Sequence, residues 1–325
     1  MGIKHLNKFF IDNCTTRAIR KLDLQFLVNK VIVIDTSIYL YKFAERGAIL
    51  ENFYLMISVF RNYQITPVFI FDGKPPAEKR ELLLRRRLEK MAAEERYHEL
   101  KEGGDADPFE LDALKRQFVR VTEKDIQDAK NMMRVYGVTY FEAGGESDQL
   151  CAYLVKHNYA WACLSDDMDM FLYGCPRVLR HMSLMRHDVV FYDTARILAD
   201  LDMTQEAFRD IAILSGTDYN IRDETSLCEI IQCFTEYRRI AYHWDTEDAG
   251  FVDWICTNAH CLSDREKLEK VRSMFDLDEF ARKNREEIKR VIDSIPFQLN
   301  PYQVEHLHEL LHEDGFIFPV IAGGL

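Results

Sequence analysis

The chain has 325 residues, and its 42 Lys and Arg stand against 54 Asp and Glu, a net charge of −12 with His neutral. Apolar residues make up 47 % and charged residues 30 %, which excludes a disordered chain and leaves ample core for one large domain or two ordinary ones. No stretch nears the ~18 apolar residues of a membrane span, and the acidic balance excludes a protein that coats nucleic acid by bulk charge, though not one that binds through a local patch.

The opening run Met1-Gly2-Ile3-Lys4-His5-Leu6 has neither a signal-peptide apolar stretch nor the Ser or Thr at position 6 of a myristoylation site. Eight scattered Cys with no C-x-x-C pair read as reduced thiols, so an intracellular protein is expected. Val31-Ile32-Val33-Ile34 suits a strand buried on both faces. Val68-Phe69-Ile70-Phe71, Val138-Thr139-Tyr140-Phe141 and Ala160-Trp161-Ala162-Cys163-Leu164 are three further strand candidates. Between the second and third lies a segment of another kind. Residues 74–90 carry seven basic side chains (Lys74, Lys79, Arg80, Arg85, Arg86, Arg87, Lys90) against three acidic ones, and the helix formers to about residue 100 have a weak apolar stripe. Such a helix is solvated or faces a charged ligand. Gly103-Gly104-Asp105 and Asp107-Pro108 then read as a loop.

A helix is predicted over 126–136, capped by Thr122 with Asp125 and closed by Gly137. Another covers 206–215, ahead of Gly216. Beyond residue 245 the pattern is helical, with a capping box at Ser263-x-x-Glu266 and an N-cap and first-position proline at Asn300-Pro301. Strands alternating with helices predict an α/β fold with a mainly parallel sheet.

In such a sheet the carboxyl ends of the strands line one edge, where ligands bind. The first strand ends in Asp35, the second in Asp72, and the fourth runs into Asp166-Asp167-Met168-Asp169. Glu146 and Asp148 open the segment after the third, and Asp218 follows the helix that ends near Gly216. Any one of these can be a turn or cap residue. Together they form an all-oxygen donor set that needs cations, and hard oxygen donors favour Mg²⁺ or Mn²⁺ over Zn²⁺. Phosphodiester hydrolysis is the chemistry that most needs two such ions. Cys256-x₄-Cys261 with His260 suits no common zinc module, and no Ser-His-Asp set, Walker loop or dinucleotide fingerprint is present.

Six motifs occur in order: Met1-Gly2-Ile3-Lys4-His5-Leu6, Ile34-Asp35-Thr36-Ser37, Phe71-Asp72-Gly73-Lys74-Pro75-Pro76, Gly145-Glu146-Ser147-Asp148, Ser165-Asp166-Asp167-Met168-Asp169 and Ser215-Gly216-Thr217-Asp218-Tyr219. The set resembles the flap endonuclease branch of the xeroderma pigmentosum G superfamily of structure-specific 5′ nucleases, over about residues 1–220. The resemblance implies a PIN-like 5′-nuclease fold, with a mainly parallel central sheet flanked by helices, a helical arch and a helical C-terminal region. It implies a nuclease core at 1–245 (N-terminal region about 1–100, arch about 79–120, internal region about 122–245) and an extension at 246–325 packed on the core. Position by position, it makes Asp35, Asp72, Glu146, Asp148, Asp167, Asp169 and Asp218 ligands of two Mg²⁺ ions, with Mn²⁺ able to substitute. Family spacing sets aside Glu142 as a strand-end residue and Asp166 as a neighbour of the ligands.

Lys79 and Arg86 match family positions on a gateway helix, and their spacing of seven puts both on one face, where they can stabilise a phosphate in the transition state. Tyr41 matches an aromatic that stacks on a nucleobase, with a core position beside Tyr39 and Phe43 as the alternative. Gly2 matches the family's N-terminal glycine near the active site and is assigned to substrate binding. The implied partner is branched DNA (5′ flap, gap or nick), with an RNA flap as a further option, no membrane, and a monomer in catalysis. Nuclear rather than cytoplasmic location follows from the resemblance alone.

The pattern breaks after Tyr219. Asn220-Ile221-Arg222-Asp223-Glu224-Thr225-Ser226-Leu227-Cys228 lacks the family's glycine pair, which puts a K⁺ site and the usual duplex grip in question. Arg222, Arg238 and Arg239 are substitute phosphate contacts to consider. No sliding-clamp peptide is visible, and the apolar tail 315–325 is expected to pack on the body. A 5′–3′ exonuclease uses the same carboxylates, and a Holliday-junction-type resolvase and a non-catalytic DNA-structure-binding factor are the competing readings.

Overall fold

The computed structural model describes residues 3–103, 107–220, 226–244, 250–258, 265–296, 298–302, 304–313 and 315. Its strands are β1 (Ile19–Asp23), β2 (Val31–Asp35), β3 (Thr66–Phe71), β4 (Thr139–Glu142), β5 (Ala162–Leu164), β6 (Arg177–Ser183) and β7 (Asp188–Asp193). In chain order its helices begin with α1 (Leu6–Asn13), α2 (Thr36–Ala44), α3 (Ile49–Asn62), α4 (Arg80–Gly103) and α5 (Pro108–Gln117). Next come α6 (Glu123–Val135), α7 (Ser147–Lys156), α8 (Thr194–Asp200), α9 (Gln205–Leu214) and α10 (Leu227–Trp244). The last are α11 (Phe251–Asn258), α12 (Arg265–Met274), α13 (Leu277–Lys283), α14 (Arg285–Ser294) and α15 (Val304–Glu313).

The strands make one seven-stranded sheet in the order β1-β7-β6-β5-β2-β3-β4. β2 pairs in parallel with β3 and β5, β3 with β4, and β5 with β6, while β7 runs antiparallel to both β6 and β1. The expected α/β fold with a mainly parallel sheet is therefore present. The central strands are apolar without alternation because helices cover both faces, and every residue of β3 is buried.

Three strands escaped the sequence reading. β1 (Ile-Arg-Lys-Leu-Asp) is an edge strand, so its charged side chains reach solvent. β6 is interrupted by Arg180 and His181 at an irregularity of register, and β7, the short run Val189-Val190-Phe191-Tyr192, is its antiparallel partner. The fourth predicted strand is also shorter than expected, starting at Ala162 rather than Ala160.

Apolar packing on the two faces follows the helix stripes. One face buries Phe10, Leu150, Phe171, Phe208 and Phe275 under α1, α7, α9 and the helices that follow. The other buries Phe53, Phe60, Met132 and Leu307 under α3, α6 and α15. Each such side chain contributes about 1.5–3 kcal/mol on leaving water.

Helix α6 starts at the predicted capping box, where Thr122 Oγ1 accepts from Asp125 N–H at 3.2 Å and Asp125 Oδ2 accepts from Thr122 N–H at 2.7 Å. It closes at Gly137, whose φ of 67° suits glycine. The basic segment forms α4, which at 24 residues spans about 36 Å and buries only Leu82 and Ala93. α5 returns along it, held by Arg96–Glu110 at 3.1 Å and by the Tyr97 and Phe118 rings, 5.4 Å apart.

The Asn300-Pro301 cap is not formed. α15 begins at Val304, and the Asn300 carbonyl instead accepts from Arg61 Nη2 at 2.8 Å. That guanidinium lies over the rings of Tyr302 and Tyr136, which holds the strap ahead of the helix. Ser263 of the second predicted cap, and the tail from 316 on, lie outside the described residues. Among the described residues no helix is long and apolar enough to cross a membrane.

Candidate active site

The parallel strands deliver their carboxylates to one edge. Asp35 closes β2, Asp72 follows β3, and Asp167 and Asp169 follow β5. Glu146 is the N-cap residue of α7 and Asp148 stands in its first turn, where the helix dipole favours negative charge. Asp218 follows α9 in a turn closed by Thr217 and Asn220.

Two serines join these elements. Ser147 N–H donates to Asp72 Oδ1 at 2.8 Å, and its Oγ lies 2.7 Å from Asp72 Oδ1 and 3.1 Å from Asp35 Oδ1. Ser165 Oγ donates to Asp35 Oδ2 at 3.0 Å and accepts from Asp167 N–H at 3.1 Å. The hydrogen bonds from Ser165 and Ser147 favour the ionised form of Asp35, but burial and the neighbouring carboxylates outweigh them. Burial, then the charges of Asp72 and Asp167, push the Asp35 carboxyl from 3.8 up to about 7. Burial, then Asp35 and Asp167, hold Asp148 well above the carboxylate range, and burial, then Asp167 and Asp218, do the same to Asp169. Asp167 is raised by burial and then by Asp218. These mutual effects connect residues drawn from every one of the carboxylate-bearing segments.

The basic helix meets the same cluster. Lys79 ends a 3₁₀ turn (Ala77–Lys79) just before α4 and is buried. Its Nζ lies 2.6 Å from Glu146 Oε1 and 3.9 Å from Asp218 Oδ2. Arg86 Nη2 reaches Asp218 Oδ2 at 2.9 Å. The spacing of seven therefore does place both cations on one face, over one carboxylate. Burial pulls the Lys79 pKa down, but Asp148 and Glu146 outweigh it and the lysine stays charged.

The residues set aside by spacing are held elsewhere. Asp166 is bound by Lys42 Nζ at 2.5 Å and by His181 N–H at 2.7 Å. Exposed Glu142 pairs with buried Lys130 at 2.9 Å. Tyr41 is not a core residue: its neighbours Tyr39 and Phe43 are buried, while Tyr41 is 44 % exposed with Lys90 Nζ 4.8 Å above its ring. Gly2, Arg222, and His260 with Cys261 lie outside the described residues. Arg238, offered as a phosphate contact, is taken up by Asp202.

An oxygen-seeking divalent ion fits this chemistry. The donors are carboxylates, and Asp169 Oδ1 is buried without a hydrogen-bond partner, which costs free energy unless a cation or water meets it. Among the described residues no three His, Cys, Asp or Glu side chains stand close enough to cage one ion directly.

Sequence reasoning missed the two serines and Tyr219, whose hydroxyl donates to Glu146 Oε2 at 2.5 Å and lies 2.9 Å from Tyr173 Oη. All three sit inside the motifs, but a hydroxyl beside a carboxylate carries no signal of its partner.

The sequence matches the XPG N-terminal domain over residues 1–93 and the XPG I-region over residues 137–218. Flap endonuclease 1-A of Sorghum bicolor is 34 % identical over 238 residues, 67 % of this chain and 62 % of that protein. Flap endonuclease 1 of Cryptosporidium muris is 27 % identical over 305 residues, 85 % of this chain and again 62 % of the relative. The chain thus spans less than two thirds of the length of these curated relatives. Among solved structures, the catalytic core of Rad2 in complex with DNA substrate superposes with a TM-score of 0.63 at 21 % identity, covering 94 % of this chain and 93 % of that one. The flap endonuclease-1 of Methanococcus jannaschii gives 0.56 at 19 % identity, covering 96 % and 100 %.

Proposed function

This chain belongs to the XPG family, and from that premise we propose that it is a Mg²⁺-dependent structure-specific 5′ nuclease of the flap endonuclease type. Its substrate is branched or gapped DNA. We take residues 1–245 as the nuclease core, with the helical pair at about 79–120 as an arch, and 246–325 as an extension. The observation that carries the reading is the meeting of Lys79 and Arg86 with a carboxylate cluster drawn from the ends of β2, β3, β5, α9 and the start of α7.

Asp35, Asp72, Glu146, Asp148, Asp167, Asp169 and Asp218 would hold two divalent ions, some through water. When bound, such ions acidify the attacking water and offset the charge of an in-line displacement at phosphorus. The water oxygen bonds to phosphorus, the 3′ oxygen leaves, and the product carries a 5′ phosphate. Lys79 and Arg86 turn from the carboxylates to the phosphate oxygens and stabilise the charge gained there. Tyr41 stacks on a base once Lys90 yields its face, a contact worth about 1–3 kcal/mol. Gly2 completes the substrate contacts. Pairs next to the cut must open for the phosphate to arrive, so selection is by structure rather than sequence.

The test uses labelled 5′-flap, gapped, nicked and junction DNAs and an RNA flap, each with Mg²⁺, Ca²⁺ or EDTA. Cleavage of flap or gapped DNA in Mg²⁺ only is the expected result. Preferred, symmetric cutting of the junction would replace this reading with a resolvase. Tight binding without cleavage in Mg²⁺ or Mn²⁺ would replace it with a structure-binding factor.

The buried carboxylates also set a pH dependence. A folded pKa raised above the unfolded value stabilises most below the unfolded one, and that contribution is lost as pH rises through the folded one. For Asp35 the window runs from 3.8 to about 7. In EDTA the melting temperature should therefore fall between about pH 5.5 and about pH 7.5, and saturating Mg²⁺ should raise it more at the higher pH, where protons no longer compete. Differential scanning fluorimetry reads both, and a Mg²⁺ shift that is larger at the lower pH would contradict the carboxylate site.

A further inference from the structure

The C-terminal helices α12 and α14 touch residues one or two positions away from four site residues. On α12, Lys270 Nζ lies 2.9 Å from Glu78 Oε1, one residue before Lys79. The Met274 carbonyl accepts from Gln149 Nε2 at 2.9 Å, one residue after Asp148. The buried Phe275 ring lies 5.2 Å from that of Tyr219, one residue after Asp218. On α14, Glu287 Oε1 accepts from Gly144 N–H at 2.8 Å, two residues before Glu146.

The last contact bears on geometry most directly. Glu146 hangs on the loop that joins β4 to α7, and Gly144 and Gly145 lend that loop conformational freedom that ordering must overcome. Hydrogen bonds restrain it, beginning with Ala143 N–H to the Phe71 carbonyl at 2.9 Å. Gly145 O accepts from Gly73 N–H at 2.6 Å, which ties it to the loop bearing Asp72, and Gly144 N–H is held by Glu287. An acceptor that is ionised makes the stronger kind of bond to a backbone amide.

We infer that Glu287 is a positioning residue for the metal site: by holding Gly144 it fixes Glu146 against Lys79. Lys270 complements it from the other side, because its ion pair with Glu78 seats the turn that carries Lys79. The C-terminal helices thereby set the distance between a carboxylate and a cation that come from opposite sides of the site. The inference rests on the nuclease reading for its kinetic consequence, but not for its effect on metal affinity.

The full-length chain with Glu287→Ala, Glu287→Gln or Lys270→Ala is compared with wild type by kcat and KM on the best DNA substrate and by Mn²⁺ affinity from EPR titration. One hydrogen bond is worth about 3–10-fold, so Glu287→Ala should lower kcat and weaken Mn²⁺ to about that extent while KM stays close to wild type. Lys270→Ala should lower kcat and leave Mn²⁺ affinity unchanged, since it acts on Lys79. Glu287→Gln keeps an amide oxygen for Gly144 and should recover most of both losses. Unchanged Mn²⁺ affinity in Glu287→Ala, or a glutamine variant as damaged as alanine, would overturn the inference. If wild type binds Mn²⁺ but cuts no DNA, the nuclease reading fails, and the Mn²⁺ comparison still decides this one.

Discussion

Asp167→Ala should reduce Mg²⁺-dependent cleavage by about 10³-fold or more, because a metal site supplies several kcal/mol to the transition state and each 1.36 kcal/mol is tenfold in rate. Asp167 is buried just beyond β5, at the carboxyl edge of the sheet. Its backbone is pinned by Ser165, and its Oδ1 accepts from Asp169 N–H at 3.0 Å, so the substitution also loosens the turn that aims Asp169. In the metal-free protein the sign reverses. Asp167 raises the pKa values of Asp35, Asp148 and Asp169, which means its charge opposes theirs. Removing it relieves that repulsion, so the variant should melt no lower than wild type in EDTA while losing most of its Mg²⁺-induced rise. Loss of activity with gain of unliganded stability is what a site strained for function produces. Activity assays and paired thermal melts check it, and a variant that melts well below wild type in EDTA would point to a structural carboxylate instead.

The same residues show what a chain discloses before it folds. Asp35 and Asp72 were readable because each directly follows an apolar run, and parallel strands must end along one edge; Asp167 stands three residues past Leu164 and was separated from Asp166 only by family spacing. Lys79 and Arg86 were readable because helical periodicity maps a spacing of seven onto one face, and both reach Asp218. Tyr41 could not be settled from its neighbours, since helix α2 buries 39 and 43 while leaving 41 in solvent. The strands β1 and β6 were hidden by charges that an edge position or neighbouring oxygen acceptors accommodate. Arg180, for example, sits in β6 but donates to the Asp166 carbonyl at 2.9 Å and to Asn7 Oδ1 at 2.6 Å. Contacts such as Glu78 with Lys270 and Gly144 with Glu287 join residues well over a hundred positions apart, and no local pattern announces them.

Lys79→Ala should lower kcat by about 10²–10³-fold, the usual cost of removing one preorganised donor to a developing anion, with little change in KM. Arg86→Ala should lose less, because its side chain is 38 % exposed where that of Lys79 is 10 %, and a solvated charge is worth less to the phosphate. Stability separates this lysine from the aspartate. Lys79 is the buried counter-charge of Glu146, and taking one partner from a buried pair leaves the other uncompensated, at a cost of about 3 kcal/mol or more. In EDTA, Lys79→Ala should therefore melt below wild type, where Asp167→Ala should not. Saturating Mg²⁺ supplies positive charge to the same carboxylates, so it should restore most of the lost melting temperature of Lys79→Ala and none of its turnover. Turnover that recovers along with stability would show that the lysine only holds the site together. A melting deficit that persists in Mg²⁺ would place the ions away from Glu146.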